Sequence, residues 1–251
     1  MQRTPLIAGN WKMHTTIDEA VTLAKAVAEA SQGLNDRQVM IAPPFTALAA
    51  VAKAVSGSPV QVAGQNVSWE EKGAFTGEIA PNMLLDAGCT MAIIGHSERR
   101  QIFAESDEMI NKRLLGAQAA GLIPILCIGE TLAEREADNT FKVLEEQLRK
   151  GLADVAISNP AELVIAYEPV WAIGTGKTAS KEQAQEVHAF LRKILTDLYE
   201  KNVASQIRIL YGGSVNSDNV DALMAQQDVD GALVGGAALK PESFSRIIRF
   251  Q

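Results

Sequence analysis

The sequence predicts an α/β fold, a closed barrel of eight parallel strands each followed by a helix, in a single domain spanning residues 1–251. Eight short apolar runs recur about every 30 residues, and segments with helical periodicity separate them. No linker, charge block or low-complexity tract interrupts this rhythm. An open, doubly wound sheet is the rival arrangement, and eight near-equal units favour closure without proving it.

The predicted strands are continuous apolar runs, most of them rich in valine and isoleucine. Runs of this kind are typical of strands buried on both faces, as in a parallel sheet. The eight runs are residues 6–8, 39–42, 60–63, 91–94, 123–128, 163–166, 207–210 and 232–234.

The segments between the runs carry helix signals, most clearly at residues 16–30 and 180–200. In both, apolar residues recur at spacings of three and four. Ser180 followed by Gln183 resembles a capping box, which predicts a helix start at that point. We also expect left-handed residues to end three helices, at Gly33, Gly57 and Gly151.

Composition narrows the class of partner and the compartment. The formal net charge of −7 argues against a nucleic-acid or membrane-surface partner, because both favour clustered Lys and Arg. No apolar run is long enough to span a bilayer, and no apolar leader follows the first residues, so we expect a cytoplasmic protein. Cys89 and Cys127 lie beside apolar runs and are predicted to be buried free thiols.

Polar residues and glycines follow nearly every predicted strand. In a parallel barrel the carboxyl ends of the strands meet on one rim, where the active site lies. The sequence therefore predicts a site containing a carboxylate, an imidazole, an ammonium group and two glycine-rich phosphate cradles. The residues are Asn10, Lys12, Gln65, Asn66, His96, Glu98, Glu130, Glu168, Gly212, Gly213, Ser214, Gly235 and Gly236.

Three charged or titratable residues are the main candidates for chemistry. Glu168 lies among apolar neighbours, which predicts a raised pKa and suits a general base; the alternative is a capping or salt-bridged glutamate. His96 at a helix start is expected to be neutral and able to donate a hydrogen bond; the alternative is a structural histidine. Lys12 either anchors an anion or forms an ion pair. His188 is interpreted as structural because it falls on a predicted helix.

The segment 169–179 is long and apolar in its middle, which indicates a lid that excludes water. Two nucleotide-binding patterns overlap it. Gly176-Lys177-Thr178 resembles the end of a phosphate-binding loop, but Trp171 stands where that motif needs glycine. The spacing of Gly174, Gly176 and Ala179 fits a dinucleotide fingerprint only loosely, because it does not open directly from a strand.

Five stretches together resemble the triosephosphate isomerase family. They are AGNWKM at 8–13, GAFTGE at 73–78, IGHSERR at 94–100, AYEPVWAIGTG at 166–176 and YGGSV at 211–215. The resemblance runs from the first strand to Gly235 and Gly236, essentially the whole chain. It implies the TIM-barrel fold and the interconversion of D-glyceraldehyde 3-phosphate and dihydroxyacetone phosphate, in glycolysis and gluconeogenesis, without metal or cofactor.

The resemblance also implies roles for individual residues. Glu168 would abstract a proton, and a neutral His96 would polarise the carbonyl and move protons between the oxygens of an enediol(ate). Lys12 and Asn10 would bind substrate and stabilise the oxyanion. Phosphate contacts would come from Gly174, Ser214, Gly235 and Gly236, with Ser97 and Glu98 in support. The family forms homodimers, in which Thr76 would reach the partner's site.

One position departs from the family pattern. Members commonly have GGASL where this chain has GGAAL at residues 235–239, so Ala238 lacks a hydroxyl. We expect a looser phosphate loop, since one neutral hydrogen bond contributes about 0.5–1.5 kcal/mol.

Three other functions remain open at this point. Another cofactor-free phosphosugar barrel enzyme would lack the EPVW segment that begins at Glu168. A catalytically silent scaffold would have lost at least one of Lys12, His96 and Glu168. An open-sheet nucleotide binder rests only on the two weak patterns in segment 169–179 and would have to bind ATP or a dinucleotide.

Overall fold

The computed structural model describes residues 3–173 and 178–251. Within these residues eight strands form a closed barrel in chain order, which confirms the predicted fold. The strands are β1 Leu6–Asn10, β2 Gln38–Ala42, β3 Val60–Gly64, β4 Met91–Ile94, β5 Ile123–Ile128, β6 Val164–Tyr167, β7 Arg208–Tyr211 and β8 Gly231–Val234.

All strand pairs are parallel, so every strand ends on the same rim of the barrel. Each strand pairs with the next one in sequence, and β1 pairs with β8, where Leu6 lies opposite Gly231. Each predicted run overlaps its strand, and the bounds differ by at most two residues. This pairing excludes the open, doubly wound sheet.

Helices surround the barrel and connect its strands. The α-helices are α1 Ile17–Ala30, α2 Leu48–Ala54, α3 Pro81–Asp86, α4 Ser97–Ile102, α5 Asp107–Ala119, α6 Leu132–Glu136, α7 Thr140–Gly151, α8 Lys181–Leu198, α9 Lys201–Ala204, α10 Val220–Met224 and α11 Pro241–Ile248. Short 3₁₀ turns occupy Phe45–Ala47, Pro160–Glu162, Val170–Ala172 and Gly236–Leu239.

The start of α8 shows how local sequence sets a helix boundary. The Ser180 hydroxyl accepts the Gln183 N–H at 3.1 Å, and the Gln183 side chain accepts the Ser180 N–H at 2.9 Å. This is the predicted capping box, in which two otherwise unpaired N–H groups are satisfied. The helix ends at Leu198, two residues before the predicted end of that segment.

Glycine behaves as predicted at two of three helix ends. Gly33 and Gly57 adopt φ of +76° and +83°, the left-handed conformation that glycine accepts without strain. The prediction for Gly151 is wrong, because Gly151 is the last residue of α7. Close packing explains glycine there: an added Cβ would lie 3.0 Å from a methyl carbon of Leu126 in β5.

The core has two parts, because alternate strand residues face opposite sides of the sheet. One set fills the barrel interior: Leu6, Ala8, Met40, Ala42, Ala63, Met91, Ile93, Ile125, Cys127, Val164, Ala166, Leu210 and Leu233. The other set packs against the helices. Cys89 and Cys127 are buried and unbridged, as predicted. No helix in the described part of the chain is long and apolar enough to cross a membrane.

A cluster of ion pairs holds the loop before β8 at the amino end of the barrel. The buried carboxylate of Asp230 accepts hydrogen bonds from Arg3, from Arg192 Nη2 at 2.6 Å and from the Ile209 N–H at 2.9 Å. Arg192 also bonds Asp228 at 2.6 Å. The cluster therefore ties the amino-terminal segment, α8, β7 and the start of β8 together, on the rim opposite the polar strand ends.

Candidate active site

The carboxyl ends of the strands enclose a cavity of about 220 Å³. Most of the predicted site residues meet there, which the parallel order of the strands explains. The lining residues are Asn10, Lys12, His96, Glu168, Ile173, Gly212, Gly213, Ser214, Val215, Leu233, Gly235, Gly236 and Ala237. The other predicted residues among those described lie outside this lining: Gln65, Asn66, Thr76, Ser97, Glu98 and Glu130. Gly174 lies outside the described residues.

Glu168 lies directly after β6 with its side chain only 2% exposed. Its Oε1 lies 2.9 Å from Nε2 of His96, and its Oε2 accepts the Ser97 N–H at 2.9 Å. Ser97 is the first residue of α4, so the carboxylate receives a hydrogen bond where the helix dipole is positive. Both oxygens of the buried carboxylate are therefore satisfied.

The expectation of a raised pKa at Glu168 is wrong for this arrangement. Burial alone would raise the pKa, but His96, the Ser97 N–H and Lys12 together hold it below its usual value. The sequence neighbours of Glu168 are apolar, so they gave no sign of these three groups. The side chain is consequently an ionised carboxylate at neutral pH.

His96 sits between two carboxylates at the start of α4. Burial would lower its pKa, but the Glu168 carboxylate outweighs burial and raises the pKa above its usual value. On the other ring nitrogen, Nδ1 accepts the Glu98 N–H at 3.2 Å, which needs a lone pair there. A neutral ring would carry its hydrogen on Nε2, pointing at Glu168. The raised pKa favours the protonated ring over the neutral ring that the sequence predicted.

Lys12 adopts a left-handed backbone conformation, with φ of +52°. Such a conformation is uncommon outside glycine and indicates a locally constrained site. Two contacts hold it: Asn10 Oδ1 accepts the Lys12 N–H at 3.0 Å, and Gln65 donates to the Lys12 carbonyl at 2.7 Å. The ammonium group pairs with Glu98 at 2.7 Å and lines the cavity. Lys12 thus forms the ion pair and also supplies positive charge to the cavity.

Glycines contribute bare backbone to part of the cavity lining, at Gly212, Gly213, Gly235 and Gly236. A Cβ added at Gly212 would lie 2.8 Å from Glu168 Cγ, and one at Gly213 would lie 2.3 Å from the Tyr211 hydroxyl. Side chains at these positions would therefore collide with the site. Beside Gly235, the Lys12 Cε lies 3.4 Å from the place a Cβ would take. The exposed backbone and the nearby ammonium group suit an anion such as phosphate.

The loop after β6 is described up to Ile173. Within it the Trp171 Nε1 donates to Glu130 Oε1 at 2.8 Å, and the same oxygen accepts bonds from Tyr167 and Arg135, each at 3.1 Å. Glu130 is fully buried. The sequence placed Glu130 at the rim but did not reveal this role. The centre of the predicted lid, with Gly174, Gly176 and Lys177 of the nucleotide-binding patterns, lies outside the described residues.

Two further residues considered from the sequence, Thr76 and His188, lie outside the cavity lining. Thr76 is exposed, in the loop 73–78 after β3, and this loop is anchored by two bonds from Arg113 to Glu78. His188 is buried in α8 with Nδ1 3.1 Å from the Asp228 carbonyl, and burial lowers its pKa to about 4. That pKa supports the structural interpretation of His188.

Fold and site together define a (β/α)₈-barrel enzyme that moves protons on a small anionic substrate. The model of one protein family, triosephosphate isomerase, matches residues 5–251. The chain belongs to the triosephosphate isomerase family. Its activity is the interconversion of D-glyceraldehyde 3-phosphate and dihydroxyacetone phosphate in glycolysis, and its substrate is a triose phosphate.

Curated relatives agree with this assignment along the whole chain. The triosephosphate isomerase of Geobacter metallireducens is 54% identical over 249 residues, which cover 99% of both chains. That of Trichlorobacter lovleyi is 53% identical over 249 residues, again 99% of both chains. That of Chloroflexus aurantiacus is 52% identical over 249 residues, covering 99% of this chain and 100% of the relative.

Proposed function

We propose that Glu168 is the general base of the isomerisation and His96 its electrophilic partner. The observation that carries this proposal is the 2.9 Å contact between Glu168 Oε1 and His96 Nε2 inside the cavity. A carboxylate and a ring N–H that meet in one cavity can act on adjacent carbon and oxygen atoms of a three-carbon substrate. The arrangement suits proton transfer next to a carbonyl.

The proposed reaction begins with dihydroxyacetone phosphate or the aldehyde in the cavity. Glu168 takes a proton from the carbon next to the carbonyl. The electrons of that C–H bond form a carbon–carbon double bond, and the π electrons of the carbonyl move onto its oxygen. His96 donates its Nε2 hydrogen to this oxygen and takes a proton from the neighbouring hydroxyl. Glu168 then returns its proton to the former carbonyl carbon, the carbonyl re-forms at the neighbouring carbon, and these steps need no metal or cofactor.

Binding groups around the base fit the same reaction. Lys12 and Asn10 stabilise the developing oxyanion, since an ammonium group and an amide are strong donors in a partly buried site. Ser214, Gly235 and Gly236, together with Gly174, bind the phosphate through backbone N–H groups and the serine hydroxyl. Ser97 holds the resting carboxylate and Glu98 holds Lys12. Substrate must displace Glu168 from the Ser97 N–H before the carboxylate can reach carbon.

We further propose a cytoplasmic, single-domain enzyme that works as a homodimer in glycolysis and gluconeogenesis. Large apolar side chains that are exposed to solvent support the dimer, because an interface would remove their apolar surface from water. Met13 is 94% exposed, Ile102 71% and Phe103 63%, and residues 73–77 in the loop that contains Thr76 are exposed. In the dimer, Thr76 reaches the partner's site.

The chemical proposal is tested by assaying isomerisation in chelator for the wild type and Glu168→Asp together. Shortening the base by one methylene misplaces it by about 1 Å, which is expected to lower kcat by on the order of 100-fold. A folded wild type that is inactive in chelator would overturn the metal-free mechanism. An unchanged rate in Glu168→Asp would remove Glu168 as the base.

Sedimentation equilibrium tests the assembly. A mass of twice 26.9 kDa is expected for the wild type, with a shift to the monomer mass when Thr76→Arg brings a charge into the interface. A monomeric, fully active wild type would contradict the dimer proposal but not the proposed chemistry.

A further inference from the structure

The end of β5, which lies beside the catalytic base, is held on its β4 side by side chains rather than by strand pairing. Pairing between β4 and β5 ends at Ile94 opposite Leu126. Beyond this pair, Arg100 donates to the Cys127 carbonyl at 3.1 Å. Gln147, from α7, then bonds both backbone groups of Gly129: it accepts the N–H at 2.8 Å and donates to the carbonyl at 3.1 Å. Side-chain groups therefore replace the missing strand neighbour.

Gly129 lies in direct contact with the backbone of Glu168. A Cβ at Gly129 would lie 1.7 Å from the Glu168 carbonyl oxygen, so the two peptide groups are packed as closely as glycine allows. Backbone bonds bracket this contact on both sides, from the Glu168 N–H to Ile128 at 2.8 Å and from the Val170 N–H to Glu130 at 3.1 Å. A shift of Gly129 must therefore move the backbone of the base.

Space is available for such a shift. A second cavity of about 170 Å³ lies behind the base, and its lining includes Gln147, Gly129, Arg100 and Glu168. Gln147 is half-buried in this wall. Without its amide group, the Gly129 peptide would face the cavity with both of its polar groups unpaired, and it could move or take up water there.

We propose that Gln147 is a positioning residue for the isomerisation: by clamping the Gly129 peptide, it fixes the backbone from which Glu168 reaches the substrate. The inference rests on the proposed role of Glu168 as the base. Gln147 lies in neither the phosphate-binding loops nor the lining of the substrate cavity. Its loss should therefore affect the reacting end of the substrate and leave phosphate binding intact.

The test compares Gln147→Met with Gln118→Met. Methionine matches the length of glutamine but forms neither hydrogen bond. Gln118 is the matched control, because it is also a half-buried helix glutamine that donates to a loop carbonyl, that of Ala156, at 2.6 Å. It lines neither of the two cavities at the base. Both variants are assayed in the full-length protein, well below their melting temperatures.

We expect Gln147→Met to lower kcat about 10-fold, since a displacement of a few tenths of an ångström costs less than the roughly 100-fold of 1 Å. KM should change less than about twofold, because phosphate binding is untouched. The inhibition constant of 2-phosphoglycolate, whose carboxylate oxygens resemble those of the enediolate, should rise about 10-fold, whereas that of inorganic phosphate should stay within about twofold. Gln118→Met should leave all four quantities within about twofold.

Two results would overturn the inference. One is an unchanged kcat in Gln147→Met, whatever its stability. The other is an equal weakening of 2-phosphoglycolate and inorganic phosphate, which would indicate general loosening of the site. If Gln147→Met does not fold, Gln147→Glu is tested instead. Glutamate keeps the acceptor for the Gly129 N–H and loses only the donor to the Gly129 carbonyl. A folded Gln147→Glu with wild-type kcat would also overturn the inference.

Glu168→Gln in the same assay separates the two proposals. If Glu168→Gln remains active, the base assignment itself fails. If Glu168→Gln is inactive while Gln147→Met matches the wild type, only the role of Gln147 is wrong.

Discussion

Replacing Asp230 by asparagine is expected to destabilise the barrel without slowing catalysis. Asp230 lies just before β8, at the amino end of the barrel, and its side chain is 4% exposed. Its carboxylate accepts bonds from Arg3, Arg192 and the Ile209 N–H. The catalytic cavity lies on the opposite rim, so this cluster contributes to stability rather than to chemistry.

The loss in free energy of unfolding follows from the groups that asparagine leaves unpaired. One carboxylate oxygen becomes an NH₂ group that faces the N–H groups of a guanidinium. Breaking a buried ion pair costs about 3–5 kcal/mol. The lower end applies, because Arg192 keeps Asp228 and Arg3 keeps the carbonyl oxygens of Ser205 and Gln227. For a chain of this size about 3 kcal/mol corresponds to a melting temperature lowered by roughly 6–12 °C.

Thermal unfolding and isomerase kinetics are measured on the same preparation. The control is Asp197→Asn, whose carboxylate is 55% exposed and 3.4 Å from Arg149, and it should cost less than about 0.5 kcal/mol. A melting temperature of Asp230→Asn within about 2 °C of the wild type would refute the estimate. A kcat lowered about 10-fold at full folding would refute the separation of stability from catalysis.

Three further outcomes are expected. Because the pKa of Glu168 is lowered in the folded protein, its carboxylate stabilises the fold above the unfolded pKa of 4.5, and this stability is lost as the pH falls through the lower folded pKa. In urea unfolding, the wild type should therefore lose stability relative to Glu168→Gln as the pH is lowered. A relative gain of stability would contradict the lowered pKa. Ala238 is fully buried, and in Ala238→Ser a hydroxyl that finds a hydrogen-bond partner should raise the melting temperature by roughly 1–6 °C and tighten the binding of a phosphate inhibitor. If neither the melting temperature nor the binding changes, the expectation of a looser phosphate loop is refuted. Burial raises the pKa of Cys89 to about 12 and that of Cys127 well above its usual value, so a thiol reagent at pH 8 should label neither cysteine until the chain unfolds; rapid labelling of the native protein would disprove their burial.

Much of the fold could be predicted because each strand can be recognised from its own residues. Both faces of a parallel barrel strand are covered, so each run is continuously apolar and recognisable without its partners. A helix end could also be predicted from neighbouring residues where a side chain caps it, as Ser180 caps α8. Gly151 shows the limit: its reason for being glycine is contact with Leu126 in another element, which no local pattern records.

In the site, too, features set by position in the chain could be predicted, and features set by contacts between distant residues could not. Parallel order places the ends of all strands on one rim, so Lys12, His96 and Glu168 could be assigned to one cavity from their positions after strands. The direction of the pKa shift at Glu168 could not be predicted, because it depends on His96 and on the Ser97 N–H, which approach from the end of another strand. Gln147 gave no signal either, because it lies within a helix and belongs to no motif.

Pairing of β1 with β8 has a consequence for synthesis of the chain. Leu6 leaves the ribosome about 225 residues before its partner Gly231. At about 5–20 residues per second, β1 waits roughly 10–45 s before its second neighbour exists. During that time the sheet is open, and the backbone groups along the free edges of β1 and of the newest strand are available to other chains. Every newly made molecule therefore passes through an aggregation-prone stage that only completion of β8 ends, and nascent chains stalled before Gly231 should be bound by chaperones.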